Sequence, residues 1–94
     1  LPGTWQDQVG CGGTWDPACQ ATSLKKGDDG LFTLTVTLKA GSYEYKVALD
    51  GAWTVNYGSD GKQDGPNYKL DLAADSKVTF TYDPNTFLVT TSVE

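Results

Sequence analysis

A chain of 94 residues with 38% hydrophobic and 20% charged side chains is enough for one domain, residues 1–94, and too apolar for a disordered tail. It contains no His and no Arg, and 7 Lys against 12 Asp and Glu leave a net charge of −5. That excludes imidazole dyads and imidazole metal sites, and it makes nucleic acid and anionic membranes poor partners. No apolar run approaches the roughly 18 residues that a membrane-spanning helix needs. The chain opens on Leu1 rather than Met, which reads as a module excised from a longer polypeptide.

In chain order, a first strand is expected near Leu1–Asp7, with Trp5 in the core. Next comes GCGGTWDPACQ, which carries Cys11 and Cys19. Two thiols without His cannot complete a four-ligand zinc site. We read a disulfide, the alternative being two free thiols that merely lie close in sequence. Closing so short a loop contributes about 2.5 kcal/mol in the chain-entropy picture, and it implies an oxidising location, extracellular or cell-surface. A long connection then runs to Asp29.

LFTLTVTL, residues Leu31–Leu38, alternates strictly, with Phe32, Leu34, Val36 and Leu38 on one face and Thr33, Thr35 and Thr37 on the other. Ala40-Gly41-Ser42 turns the chain. Residues Tyr43–Leu49 alternate again, with Tyr45, Val47 and Leu49 as the core face. Asp50-Gly51 is a type I′ hairpin signal, and the returning strand is expected from Ala52 to about Tyr57. Gly58–Pro66 is polar and glycine-rich and reads as an exposed loop. Strands resume at Asn67–Leu72 and Lys77–Tyr82. Asp83-Pro84-Asn85 turns the chain into a last strand, Phe87–Val93. Six to eight short strands with turns about every ten residues predict an all-β, antiparallel, immunoglobulin-like β-sandwich.

Catalytic chemistry is sparse. Asp and Glu would allow a carboxylate pair, but most Asp residues stand beside Gly or Pro, where they serve turns. Asp60-Gly61-Lys62-Gln63-Asp64-Gly65 lacks the ligand spacing of a calcium loop, and Lys62 intrudes. Neither metal nor cofactor is expected.

Aromatic residues, in contrast, exceed what the core needs. Trp15 lies in the cysteine loop, flanked by Thr14 and by Asp16-Pro17. Trp53 follows the Asp50-Gly51 hairpin, and Tyr57 lies farther along, beside Asn56. Lys46 points opposite to Val47. Gly65-Pro66-Asn67-Tyr68 returns near the hairpin's edge. These pieces predict a shallow platform of tilted rings flanked by an ammonium and an amide. A pyranose offers an apolar C–H face to such rings and hydroxyls to Lys46 and Asn67. The competing readings are a solvated Lys46 and a Trp53 that caps an open sandwich end.

The stretches GTWQDQVGCGGTWDPACQATSL, LFTLTVTLKAGSYEYKVALDGAW, NYG and GPN resemble a small immunoglobulin-like module (X25 type) of bacterial pullulanases and amylases, often present in tandem. More distantly, the chain is similar to family-twenty starch-binding modules and to glycogen-binding modules. That resemblance implies a binding site at Trp15, Lys46, Trp53 and Asn67. Tyr57 and Tyr68 join it from their positions alone. The function implied is non-catalytic binding of α-1,4-glucan, that is starch and maltooligosaccharides, by a monomeric module with tandem or catalytic neighbours. It would hold an appended amylase or a surface complex against starch. A structural spacer and a protein-docking module are the alternatives.

Overall fold

The alternating stretches of the sequence become strands of two facing layers in the computed structural model, which describes residues 1–49 and 51–93. The strands are β1 (Lys25–Lys26), β2 (Phe32–Leu38), β3 (Gly41–Tyr45), β4 (Val47–Ala48), β5 (Asn56–Tyr57), β6 (Tyr68–Leu72), β7 (Ser76–Asp83) and β8 (Leu88–Val93). One layer is an antiparallel sheet in the order β1-β2-β7-β8. The other is built from two antiparallel pairs, β3 with β6 and β4 with β5. Only Lys46 separates β3 from β4, so the two pairs run on from one another. No α-helix occurs among the described residues, and this is an all-β sandwich.

Alternation sets the core face. On β2 the threonines Thr33, Thr35 and Thr37 are exposed, while Phe32, Leu34 and Val36 are half-buried and Leu38 is buried. On β7 the buried residues are Val78, Phe80 and Tyr82. The register sets Leu34 opposite Phe80 and Val36 opposite Val78, so like residues pair across the strands on one face. Trp5, fully buried, stacks on Phe80 with centroids 5.2 Å apart. Tyr45 meets Phe80 edge-on at 4.9 Å and stacks flat on Tyr68 at 4.9 Å. Phe80 of one layer is thus the contact point for Trp5 and for Tyr45 of the other. Burial pushes the phenols of Tyr45, Tyr68 and Tyr82 upward, so they stay neutral well into alkaline conditions.

Four expectations are corrected. The strand expected at Leu1–Asp7 is a single bridge, Gly3 to Tyr45, followed by a 3₁₀ turn at Gln6–Gln8. Pairing stops there because the buried Gln6 amide turns inward to its hydrogen-bond partners. Gly3 allows the close approach, since a Cβ there would lie 2.7 Å from the Glu44 carbonyl and 2.8 Å from Tyr45 Cβ. The strand expected over Tyr43–Leu49 is split at Lys46, whose N–H donates to the Pro2 carbonyl at 3.0 Å instead of joining the ladder. The strand expected from Ala52 begins only at Asn56, because Ala52 N–H turns back to the Leu49 carbonyl at 3.3 Å. Phe87 stands outside β8 with φ 60°, its N–H held by the Asp83 carbonyl at 2.8 Å. The turn expected at Asp50-Gly51 includes Asp50, which lies outside the described residues.

Candidate functional site

The N-terminal segment lies along β3 on the side away from β6. Thr4 N–H donates to the Glu44 carbonyl at 2.9 Å, and Gly3 bridges Tyr45. The cysteine loop hangs from this segment, because Trp15 N–H donates to the Gly3 carbonyl at 3.2 Å. A Cys11–Cys19 disulfide closes the loop, with Cα atoms 6.0 Å apart. The turn between β4 and β5 leans on the same loop, and a Cβ at Gly51 would lie 3.7 Å from Ala18 Cα. Both turns therefore carry their tryptophans to one place. The rings of Trp15 and Trp53 stand 6.2 Å apart, centroid to centroid, at 41° to each other. Trp53 is 40% exposed and Trp15 half-buried.

Register brings Lys46 and Asn67 close to one another. The β3–β6 ladder ends at Tyr45 opposite Tyr68, so Lys46 and Asn67 are the next residues on its two strands. Both are half-buried. Tyr45 and Val47 are buried on either side of Lys46, so alternation turns Lys46 to the opposite face. Chemically, the chain offers two tilted apolar rings at one place, and one ammonium and one carboxamide on the residues just past the end of the β3–β6 ladder. That set can stack on a ring's C–H face and hydrogen-bond its hydroxyls. Among the described residues, no group of three or more His, Cys, Asp or Glu is placed to hold a metal.

Tyr57 and Tyr68 each stack on another aromatic ring. Tyr57 is opposite the buried Val47 and stacks on Phe87 at 4.5 Å and 12°. Tyr68 stacks on Tyr45, and its hydroxyl accepts the Val89 N–H at 2.8 Å. Tyr57 pairs with the buried Val47 and Tyr68 with the buried Tyr45, so both rings share the core side of their strands. Phe87, 40% exposed beside Tyr57, is a surface aromatic that its place after a turn did not announce. A cleft of about 680 Å³ runs past Pro17, Cys19, Leu24, Phe32, Leu49 and Phe87. Trp15, Lys46, Trp53 and Asn67 do not line it.

Known proteins of the same build give this arrangement a context. Residues 1–89 match a family described as the pullulanase X25 domain. An amylopullulanase of Thermoanaerobacterium saccharolyticum is 40% identical over 93 residues, covering 98% of this chain and 7% of that protein. An amylopullulanase of Thermoanaerobacter thermohydrosulfuricus is 38% identical over 84 residues, covering 88% of this chain and 6% of that protein. A solved pullulanase from Bacillus acidopullulyticus superposes with a TM-score of 0.84 at 39% identity, over 97% of this chain and 11% of that one. In each relative the matching stretch is a small part of a much longer polypeptide. Coverage from end to end at this identity leaves one assignment: the chain belongs to the pullulanase X25 domain family.

Proposed function

We propose that this domain is a non-catalytic carbohydrate-binding module that holds α-1,4-glucan, starch or maltooligosaccharides, on the face formed by Trp15, Trp53, Lys46 and Asn67. The observation that carries this reading is the ring pair at 6.2 Å and 41°. An α-1,4-glucan coils and presents a curved apolar face, which two tilted rings follow better than a flat row. Stacking one sugar face hides on the order of 80–100 Å² of apolar surface, worth about 2 kcal/mol before the costs of binding. Lys46 and Asn67 then meet the hydroxyls at the edge of the rings. Relatives named as amylopullulanases support starch as the polymer concerned.

In its parent polypeptide the module would target an appended amylase, or a cell-surface complex, to starch outside the cell. One shallow site binds weakly, and tandem copies on one chain would raise the avidity. Electrophoresis in native gels containing soluble starch tests the reading. The parent domain should be retarded, and Trp15→Ala and Trp53→Ala should each run as in a starch-free gel. A parent domain that starch does not retard would overturn it in favour of a spacer or a protein-docking module.

A further inference from the structure

Among the described residues three polar side chains are buried: Gln6 and Thr22, each 0% exposed, and Asn56, 5% exposed. Buried polar groups are costly unless hydrogen-bonded, so the destination of their bonds shows what they hold. All three serve the two loops that carry Trp15 and Trp53.

Gln6 lies flat against Asp16, the residue after Trp15. Its Oε1 accepts Asp16 N–H at 2.7 Å, and its Nε2 donates to the Asp16 carbonyl at 2.7 Å. The same Oε1 accepts Gly3 N–H at 3.2 Å, while the Gly3 carbonyl accepts Trp15 N–H at 3.2 Å. Trp15 is thus fixed at the peptide on each side. Its φ of 55° is a left-handed conformation that bulky residues rarely adopt and that persists only where the surroundings over-determine it. Thr22 braces the clamp from behind, accepting from Gln6 Nε2 at 2.9 Å and donating to the Cys19 carbonyl at 3.2 Å.

Asn56 does the corresponding job for Trp53. Its Nδ2 donates to the Trp53 carbonyl at 3.0 Å and to Asp64 Oδ1 at 2.8 Å. Asp64 N–H returns to the Asn56 carbonyl at 3.0 Å. Asn56 Oδ1 is buried without a partner. An apolar residue would avoid that cost, so what the side chain contributes lies in its two donors.

We infer that Gln6, braced by Thr22, and Asn56 are the positioning residues of the Trp15–Trp53 pair, fixing the spacing and tilt of the rings before a ligand arrives. Aromatic side chains on two loops would otherwise sample many relative angles, and binding would have to freeze them. The inference rests on the reading of the pair as a sugar platform, but its geometric part can be measured without sugar.

Closely paired indoles give an exciton couplet in the far-ultraviolet circular dichroism, which Trp15→Ala abolishes. The variants are Gln6→Glu, which keeps Oε1 and loses the Nε2 donors, Asn56→Asp, and Thr22→Val. The last retains shape and serves as the test of the Gln6 clamp where Gln6→Glu does not fold. All measurements are made well below each variant's melting temperature. The couplet should fall by more than half in the folded Gln6 and Asn56 variants. Starch binding should weaken about tenfold, the scale of one net hydrogen bond. Thr22→Val should show the same changes to a smaller degree. A couplet absent from the parent, or unchanged in the variants, overturns the inference, as does full starch binding by variants that have lost it. If the couplet falls while the parent itself fails to bind starch, the clamps stand and the starch reading fails.

Discussion

Trp5 allows the energetics of the core to be separated from those of the platform. It is fully buried on Phe80, yet its indole Nε1–H has no hydrogen-bond partner. Trp5→Ala removes the whole ring and should cost about 3–5 kcal/mol, in line with other core Trp truncations. Trp5→Phe keeps a ring against Phe80 and loses roughly 40 Å³, which costs about 1 kcal/mol as a cavity at ~24 cal/mol per Å³ and about 1 kcal/mol more in lost transfer free energy. It also deletes a buried, unpaired donor, whose burial costs about 1–3 kcal/mol. The two effects nearly cancel, so Trp5→Phe should change stability by less than about 1 kcal/mol. For a domain of this size each kcal/mol moves the melting midpoint by about 4–8 °C. Trp5→Ala should therefore melt at least about 12 °C below the parent, and Trp5→Phe within about 8 °C of it. Thermal and urea unfolding followed by circular dichroism read both. If Trp5→Phe loses as much as Trp5→Ala, the indole N–H makes a bond worth keeping and the cancellation is wrong.

Three further outcomes are expected. Reducing the Cys11–Cys19 disulfide, which spans a sequence separation of 8, should lower stability by about 2.5 kcal/mol and weaken starch binding. Alkylation without reductant should leave the intact mass unchanged. The phenols of Tyr45, Tyr68 and Tyr82 are pushed above their ordinary value by burial, so the folded state holds their protons after the unfolded chain has released them. Their contribution is complete below about pH 10 and is lost as the pH rises beyond it, so the melting midpoint should fall above about pH 10. Starch affinity should change little between low and moderate salt, because a neutral ligand displaces no counterions; a steep loss on adding salt would point to a charged ligand.

Long alternating stretches were the part of the fold that could be read from sequence. β2 and β7 each repeat an apolar residue every second position, and burial on one face leaves such stretches a single register. Trp5 as core and the paired cysteines were legible for similar reasons: a bulky apolar ring, and two thiols on one short loop. Contacts distant in sequence were not. The split at Lys46 follows from its N–H reaching Pro2, and the shortened β5 from the turn back to Leu49. Nothing in the local pattern of either strand records those partners. The stacking of Tyr57 on Phe87 and of Tyr68 on Tyr45 likewise joins residues distant in sequence, which the local pattern does not record. Gln6 belongs to no motif at all, and only its burial beside Asp16 shows what it holds.

Calorimetric titration of a maltooligosaccharide into the parent domain and into Trp53→Ala, paired with a melt of each, tests the platform most directly. Trp53 is 40% exposed, so its truncation should remove stacking while costing the fold no more than about 0.5 kcal/mol. The parent should bind, and Trp53→Ala should bind at least about tenfold more weakly, a loss of roughly 1.4 kcal/mol. Unchanged affinity in a Trp53→Ala domain that melts early would place Trp53 in the packing and contradict the sugar platform.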